Sequence, residues 1–213
     1  KADLINHKAI DVISKWTSLN KKKLIHISTD YVFDGLSNMP FFENSKTKPV
    51  NEYGSSKLKG EIACLKNDPN SIVIRTSWLY SSFGKNFVKT MIDLMKKNKS
   101  VKVVNDQIGS PTYAHDLARL IIEIIINYKN ESGLFHYSND GEISWFDFAR
   151  SIKELYNLDC EIIGVSSKEF KTLAKRPEYS LLNKSKIKTT FNLEIHNYKQ
   201  SLKNCIEIIK NEA

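Results

Sequence analysis

The sequence predicts an α/β fold with a doubly wound parallel sheet, and three observations carry that expectation. Short apolar, β-branched runs recur at 24–28, 71–76 and 133–137, the composition of strands buried on both faces. Between them lie stretches of helical apolar spacing, such as Phe87, Met91, Leu94 and Met95 at i, i+4, i+7 and i+8. Strands alternating with helices fit a parallel sheet covered on both faces, and such sheets bind ligands at the carboxyl ends of their strands. The informative residues should then follow Ile27, Ile74 and Tyr137.

Taken in order, Leu4, Ile5, Ala9, Ile10, Val12, Ile13 and Trp16 recur near helical spacing from the first residues, so the chain reads as beginning within a domain. Lys21, Lys22 and Lys23 make a solvated turn before the first strand. Turn formers fill 34–49, a helix follows from about 51 to 65, and the second strand at 71–76 leads to a helix starting near Asn86. A short strand fits 101–104, and Gly109 and Pro111 make 107–112 a loop. The run 117–126 has the β-branched density of a strand, but Asp116 as a cap and the length through Tyr128 favour a helix. Ser144 and Asp147 have capping-box spacing ahead of the apolar stripe Trp145, Phe148, Ala149, Ile152 and Leu155. The segment 161–197 reads as irregular and polar. Leu202, Cys205, Ile206 and Ile209 then mark a last amphipathic helix, with Cys205 in the core.

Composition narrows the function classes. The 213 residues carry 32 Lys and Arg against 24 Asp and Glu, a formal charge of +8, with 41% hydrophobic residues. That is ordinary globular composition, which excludes a disordered or collagen-like chain. Of the 32 cations 28 are Lys, with no arginine-rich or aromatic-interleaved stripe, so no nucleic-acid partner is expected. The longest apolar run, 117–126, is broken by Arg119 and Glu123 and falls short of the ~20 residues of a membrane span. Cys64, Cys160 and Cys205 fit neither a disulfide framework nor a zinc knuckle, and the five histidines lack metal-ligand spacing. A cytoplasmic protein without a metal site is the expectation.

Two elements carry chemistry. The first strand runs into Ser28-Thr29-Asp30-Tyr31, placing two hydroxyls where a ligand would sit, although turn hydroxyls also satisfy local backbone. Tyr53 and Lys57 stand one helical turn apart on a shared face. A phenol titrates near ~10, and a nearby ammonium would lower that value and ready the phenol for proton exchange. With nine Tyr and 28 Lys, chance alone yields roughly one such pair, so the spacing gains weight only from its place after a strand-end Ser-Thr.

The blocks STDYVFDG (28–35), NEYGSSKLKGE (51–61), RTSWLY (75–80), GKNFVKTM (84–91), VVNDQIGSPT (103–112) and RPEYSLL (176–182) occur in this order. They resemble the dTDP-4-dehydrorhamnose reductase family of the extended short-chain dehydrogenases/reductases, over nearly the whole chain. The resemblance implies a Rossmann-like domain over 1–213 with a small C-terminal α/β substrate-binding lobe formed mainly by about 84–112 and 139–197. It implies NADPH or NADH as cofactor, a nucleotide-sugar substrate reduced at C4, and Thr29, Tyr53 and Lys57 as the catalytic triad. Tyr53, Lys57 and Ser77 fall on the cofactor side. Thr29, Asp30, Tyr31, Trp78, Asn86 and Arg176 fall on the substrate side. Magnesium and a homodimer are implied by resemblance alone.

Some of these residues have plainer readings. Trp78 also suits a core aromatic, Arg176 a surface ion pair, Gln107 and Thr112 the ordering of their loop, and Phe87 the packing of its helix. Other sugar-nucleotide epimerases or dehydratases, and a non-catalytic subunit like the regulatory subunit of methionine adenosyltransferase, share the superfamily pattern. The family's G-x-x-G-x-x-G phosphate loop is absent among the eight glycines. The resemblance therefore implies that four strands, about 75 residues or two to three βα repeats, precede this chain in the natural protein. On that expectation the chain alone binds NADPH poorly, and its first strand is an apolar edge prone to pairing with other chains.

Overall fold

The computed structural model describes residues 1–170 and 176–212. A π-helical turn (Leu4–Lys8) runs into α1 (Ala9–Leu19), followed by β1 (Ile25–Thr29), a 3-10 turn (Asp30–Val32), α2 (Glu52–Asn67), β2 (Ile72–Thr76) and β3 (Leu79–Tyr80). Next come α3 (Phe87–Lys97), β4 (Ser100–Val104), β5 (Ile108–Gly109), β6 (Thr112–Tyr113), α4 (Ala114–Asn127) and β7 (Gly133–His136). The described chain closes with β8 (Ile143–Ser144), α5 (Trp145–Tyr156), β9 (Glu161–Val165), α6 (Ser185–Thr190) and α7 (Tyr198–Asn211).

The central sheet is parallel, in the order β1-β2-β7, with Ile27 opposite Ile74 and Ile74 opposite Phe135. Side chains of a strand alternate between faces, and β2 uses both. Ile72 and Ile74 join Leu117, Leu120 and Ile124 of α4 and Phe135 of β7 in one apolar cluster. From the same strand Arg75 reaches Glu61 of α2, which packs against β1 and β2 with α1 alongside it. Helices therefore cover both faces, as the sequence predicts. A second core gathers α3, α5 and α7 around β4, with Val88, Met91, Ile92, Phe148, Ile152, Leu202 and Cys205 buried together. There β4 pairs in parallel with β9, and β5 pairs antiparallel with β8.

Several local expectations are corrected. Asp116 is not the cap of α4, because β6 runs straight into the helix and puts Tyr113 in the cap position. The Asp116 carboxylate instead accepts hydrogen bonds from Asn139 Nδ2 at 2.8 Å and Ser201 Oγ at 2.5 Å, tying α4 to α7. The expected loop 107–112 contains β5 and reaches into β6, two-residue strands too short to show a period of two. The polar stretch 161–197 contains β9 and α6. In β9 only Val165 is buried, so its pairing with β4 leaves little hydrophobic signal. Residues 171–175 of the expected lobe lie outside the described residues.

Leu4, Ile5, Val12, Ile13 and Trp16 carry the helical period of the N-terminal segment, yet all are exposed. β1 is hydrogen-bonded on one side only among the described residues. No described helix is long and apolar enough to cross a membrane.

Candidate active site

The ends of β1 and β2 and the start of α2 enclose a cavity of about 390 Å³, lined by Ser28, Thr29, Asp30, Tyr31, Tyr53, Lys57, Ser77, Trp78 and Trp145 among others. Thr29 is the last residue of β1, and its hydroxyl caps the turn that follows by accepting the Tyr31 N–H at 3.3 Å. The same hydroxyl donates to Asp30 Oδ1 at 3.0 Å. Asp30 is 2% exposed, and its Oδ2 has no hydrogen-bond partner among the described residues. Burial pushes its pKa up to about 7, with the Ser180 and Thr29 hydroxyls opposing.

Tyr53 and Lys57 are placed by the first turns of α2. Asn51 caps that helix by accepting the Gly54 N–H at 2.8 Å. A Cβ at Gly54 would fall 2.1 Å from the Tyr31 carbonyl oxygen, so glycine lets the helix press against the turn after β1. The Tyr31 and Tyr53 rings consequently meet edge to face with centroids 5.8 Å apart. Tyr53 remains 46% exposed, whereas Lys57 is buried and its Nζ donates to the Ile27 carbonyl.

The phenol does not behave as the Tyr-Lys spacing predicts. Burial raises the Tyr53 pKa, the Thr29 hydroxyl opposes, and the Asp30 carboxylate adds to the rise. The Lys57 ammonium is turned to the Ile27 carbonyl, and burial pulls its own pKa down against the opposing charge of Glu61. Tyr53 is thus held in its protonated form.

After β2, Ser77 is buried and its hydroxyl donates to the Ser110 carbonyl at 2.6 Å. Trp78 follows with φ +47°, its ring stacked on Trp145. Thr76 donates to Thr112 at 2.9 Å, so Thr112 organises its loop. Asn86 lies away from the cavity as the cap of α3: its Oδ1 accepts the Lys89 N–H at 3.3 Å, and its Nδ2 donates to the Ser81 and Phe83 carbonyls. Phe87 packs against Trp145 and Phe148.

Arg176 is exposed on a neighbouring groove of about 470 Å³ beside α3 and β4, which Gln107 and Phe170 also line. Its charge reaches Tyr31, whose phenol it lowers against the larger effect of burial. Trp145 lines both openings. Sequence reasoning placed it on the apolar stripe of its helix. The available signal was its position directly after the Ser144 cap, where a side chain can face the preceding loops. Among the described residues no cluster of His, Cys, Asp or Glu could hold a metal ion.

The RmlD substrate-binding domain model matches residues 1–211. The chain belongs to the RmlD substrate-binding domain family. Within it, the chain is 36% identical to the dTDP-4-dehydrorhamnose reductase of Sinorhizobium fredii, covering 97% of this chain and 73% of that one. It is 39% identical to the spore coat polysaccharide biosynthesis protein SpsK of Bacillus subtilis, covering 86% and 64% respectively. The Bacillus anthracis dTDP-4-dehydrorhamnose reductase, solved in complex with NADP, superposes with a TM-score of 0.92 at 37% identity, over 96% of this chain and 72% of that one. RmlD-family membership accounts for the order of the sequence blocks and for the parallel sheet.

Proposed function

We propose that the protein is an NAD(P)H-dependent reductase that converts the C4 ketone of dTDP-4-dehydro-L-rhamnose to the alcohol, giving dTDP-L-rhamnose for surface polysaccharide. The observation that supports this most directly is the convergence of Thr29, Tyr53 and Lys57 on one cavity at the carboxyl ends of β1 and β2.

The residues present suit the nicotinamide end of a dinucleotide. Ser28 Oγ is buried without a partner among the described residues, and Lys57 brings an ammonium to the same cavity, so both can bond a ribose or a carboxamide. When bound, the nicotinamide supplies a hydride to the sugar C4. Tyr53, kept protonated by burial, is the donor that delivers a proton to the C4 oxygen. The Thr29 hydroxyl accepts the Tyr31 N–H and gives its one proton to Asp30 Oδ1, so it donates to the same oxygen only by turning that proton away from Asp30 as charge builds. Lys57, held by the Ile27 carbonyl at the edge of the cavity, orients the ribose. The neighbouring groove suits the nucleotide, with Arg176 at its edge for the diphosphate. Asn86 is fully engaged in capping α3 and has no part in this reading.

The test is loss of NADPH absorbance with dTDP-4-dehydro-L-rhamnose, using protein expressed from its complete reading frame. Tyr53→Phe should lower kcat by about 10²–10⁴-fold while the nucleotide sugar still binds. Turnover undiminished in Tyr53→Phe would remove the tyrosine from the mechanism.

A further inference from the structure

Trp145 is where the two openings meet. It lines the cavity that holds Thr29, Tyr53 and Lys57, and among the described residues it alone also lines the groove beside Phe87, Val104 and Arg176. Its backbone is fixed twice over. Ser144 and Asp147 close a capping box at the start of α5, and Ser144 pairs with Ile108 across β8 and β5. From that anchored position the Trp145 ring lies face to face with Trp78, centroids 3.7 Å apart and planes 10° from parallel, with Phe87 tilted against it at 4.5 Å.

Trp78 needs such a partner. Its φ of +47° lies in the left-handed region, unfavourable for a bulky residue and maintained only where the surroundings over-determine it. Gly109 supplies part of that constraint, since a Cβ there would come within 2.8 Å of the Trp78 ring. The Thr112 N–H, at 3.3 Å from the Trp78 carbonyl oxygen, supplies another part. The Trp145 ring, stacked in parallel, covers one face of the indole.

We propose that Trp145 is a positioning residue whose stack holds Trp78 in the conformation that walls the sugar pocket, joining that pocket to the nucleotide groove. The proposal rests on the reductase reading above. The flat apolar wall suits the C–H face of a 6-deoxy sugar, and the shared edge lets a nucleoside diphosphate in the groove fix where the sugar carbonyl sits relative to Tyr53.

The experiment is steady-state kinetics of Trp145→Ala and Trp145→Phe with dTDP-4-dehydro-L-rhamnose and NADPH, in protein expressed from its complete reading frame. Alanine should raise KM for the nucleotide sugar about tenfold, with KM for NADPH within about twofold of wild type. Phenylalanine, which keeps a ring to stack, should recover most of the loss. Trp145 also packs on Phe87, so Gly109→Ala provides an independent arm. Its new Cβ would fall 2.7 Å from Ser180 Oγ, a hydroxyl that can rotate away, and 2.8 Å from the rigid Trp78 ring while Trp145 stays intact, and it should raise the same KM. An equal rise in the alanine and phenylalanine variants overturns the proposal, as does a wild-type KM in Gly109→Ala. A wild-type protein that binds NADPH but turns over no nucleotide sugar overturns the reductase reading instead.

Discussion

Arg75 of β2 and Glu61 of α2 form a fork pair inside the protein, Nε to Oε1 at 2.9 Å and Nη2 to Oε2 at 2.7 Å, with each side chain 3% exposed. The pair clamps α2 over the sheet, and Tyr53, Lys57 and Glu61 follow one another at i, i+4 and i+8 on that helix. Glu61 therefore sets the height of the helix face that carries Tyr53 and Lys57 above the strand ends. Removing one partner leaves a buried charge without its counter-ion, which typically costs about 3–5 kcal/mol. Glu61→Leu is expected to lose stability on that scale in urea denaturation. A loss below about 1 kcal/mol would show that solvent or His136, whose Nε2 lies 3.4 Å from Arg75 Nη1, takes over the guanidinium.

Asp30 predicts a pH effect of definite sign. Its pKa is about 7 in the folded protein and 3.8 in the reference state, so the native state holds the proton more tightly. The resulting stability is fully present below about pH 4 and lost as pH rises through about 7. Asp30→Asn removes this titration. Relative to wild type, the variant should gain on the order of a few kcal/mol between pH 4 and 7.5, read from paired urea midpoints. A difference that does not change across that window would place the Asp30 pKa near its ordinary value.

The capping box is a local test of α5. Ser144 Oγ accepts the Asp147 N–H at 3.0 Å, and Asp147 Oδ2 accepts the Ser144 N–H at 3.1 Å. Ser144→Ala should destabilise the protein by about 1 kcal/mol in the same assay. Asp147→Ala should have a comparable effect, since it removes the reciprocal half of the same motif, and two unequal losses would show which half dominates.

The elements that the sequence makes legible are those with long periods. The three strands of the central sheet and the helices α3, α5 and α7 each spread an apolar pattern over enough residues to be read, and the Ser144 box marks its helix start to the residue. β5, β6 and β8 are two residues each and leave no period. Asp116 misleads because a carboxylate that bridges Asn139 and Ser201 looks, in sequence, like a cap. In the site, Thr29, Tyr53 and Lys57 are legible from motif order, but the direction of the Tyr53 shift is not. It depends on where the Lys57 ammonium points and how much of the phenol is covered, and both are tertiary facts. Trp145 is hidden for a related reason, because one helical stripe can serve a core and a pocket wall at once.

The two buried histidines act on the acid side of the stability profile, at higher pH than carboxyls such as Asp140 that are held below their ordinary value. His26 is lowered to about 4 by burial and then by the Lys57 charge, and its Nε2 has no partner among the described residues. His136 is lowered to about 3 by burial and then by Arg75; its Nδ1 lies 3.1 Å from the Phe41 carbonyl oxygen and so carries the proton, leaving Nε2 to face the guanidinium. Both groups have an ordinary value of 6.5, so their contribution is present above about pH 6.5 and lost as pH falls toward 4. Asp30 titrates through much of the same window with the opposite sign. Two histidines against one aspartate leave a net loss on acidification of roughly one proton, at most ~1.4 kcal/mol per pH unit. His26→Leu removes one histidine and an unpartnered nitrogen together, so His136 and Asp30 should nearly cancel. The urea midpoint of that variant should stay flat between pH 5 and 6.5 where the wild type falls. A slope equal to wild type would mean that folded His26 titrates near its ordinary value of 6.5 and contributes nothing to the pH dependence.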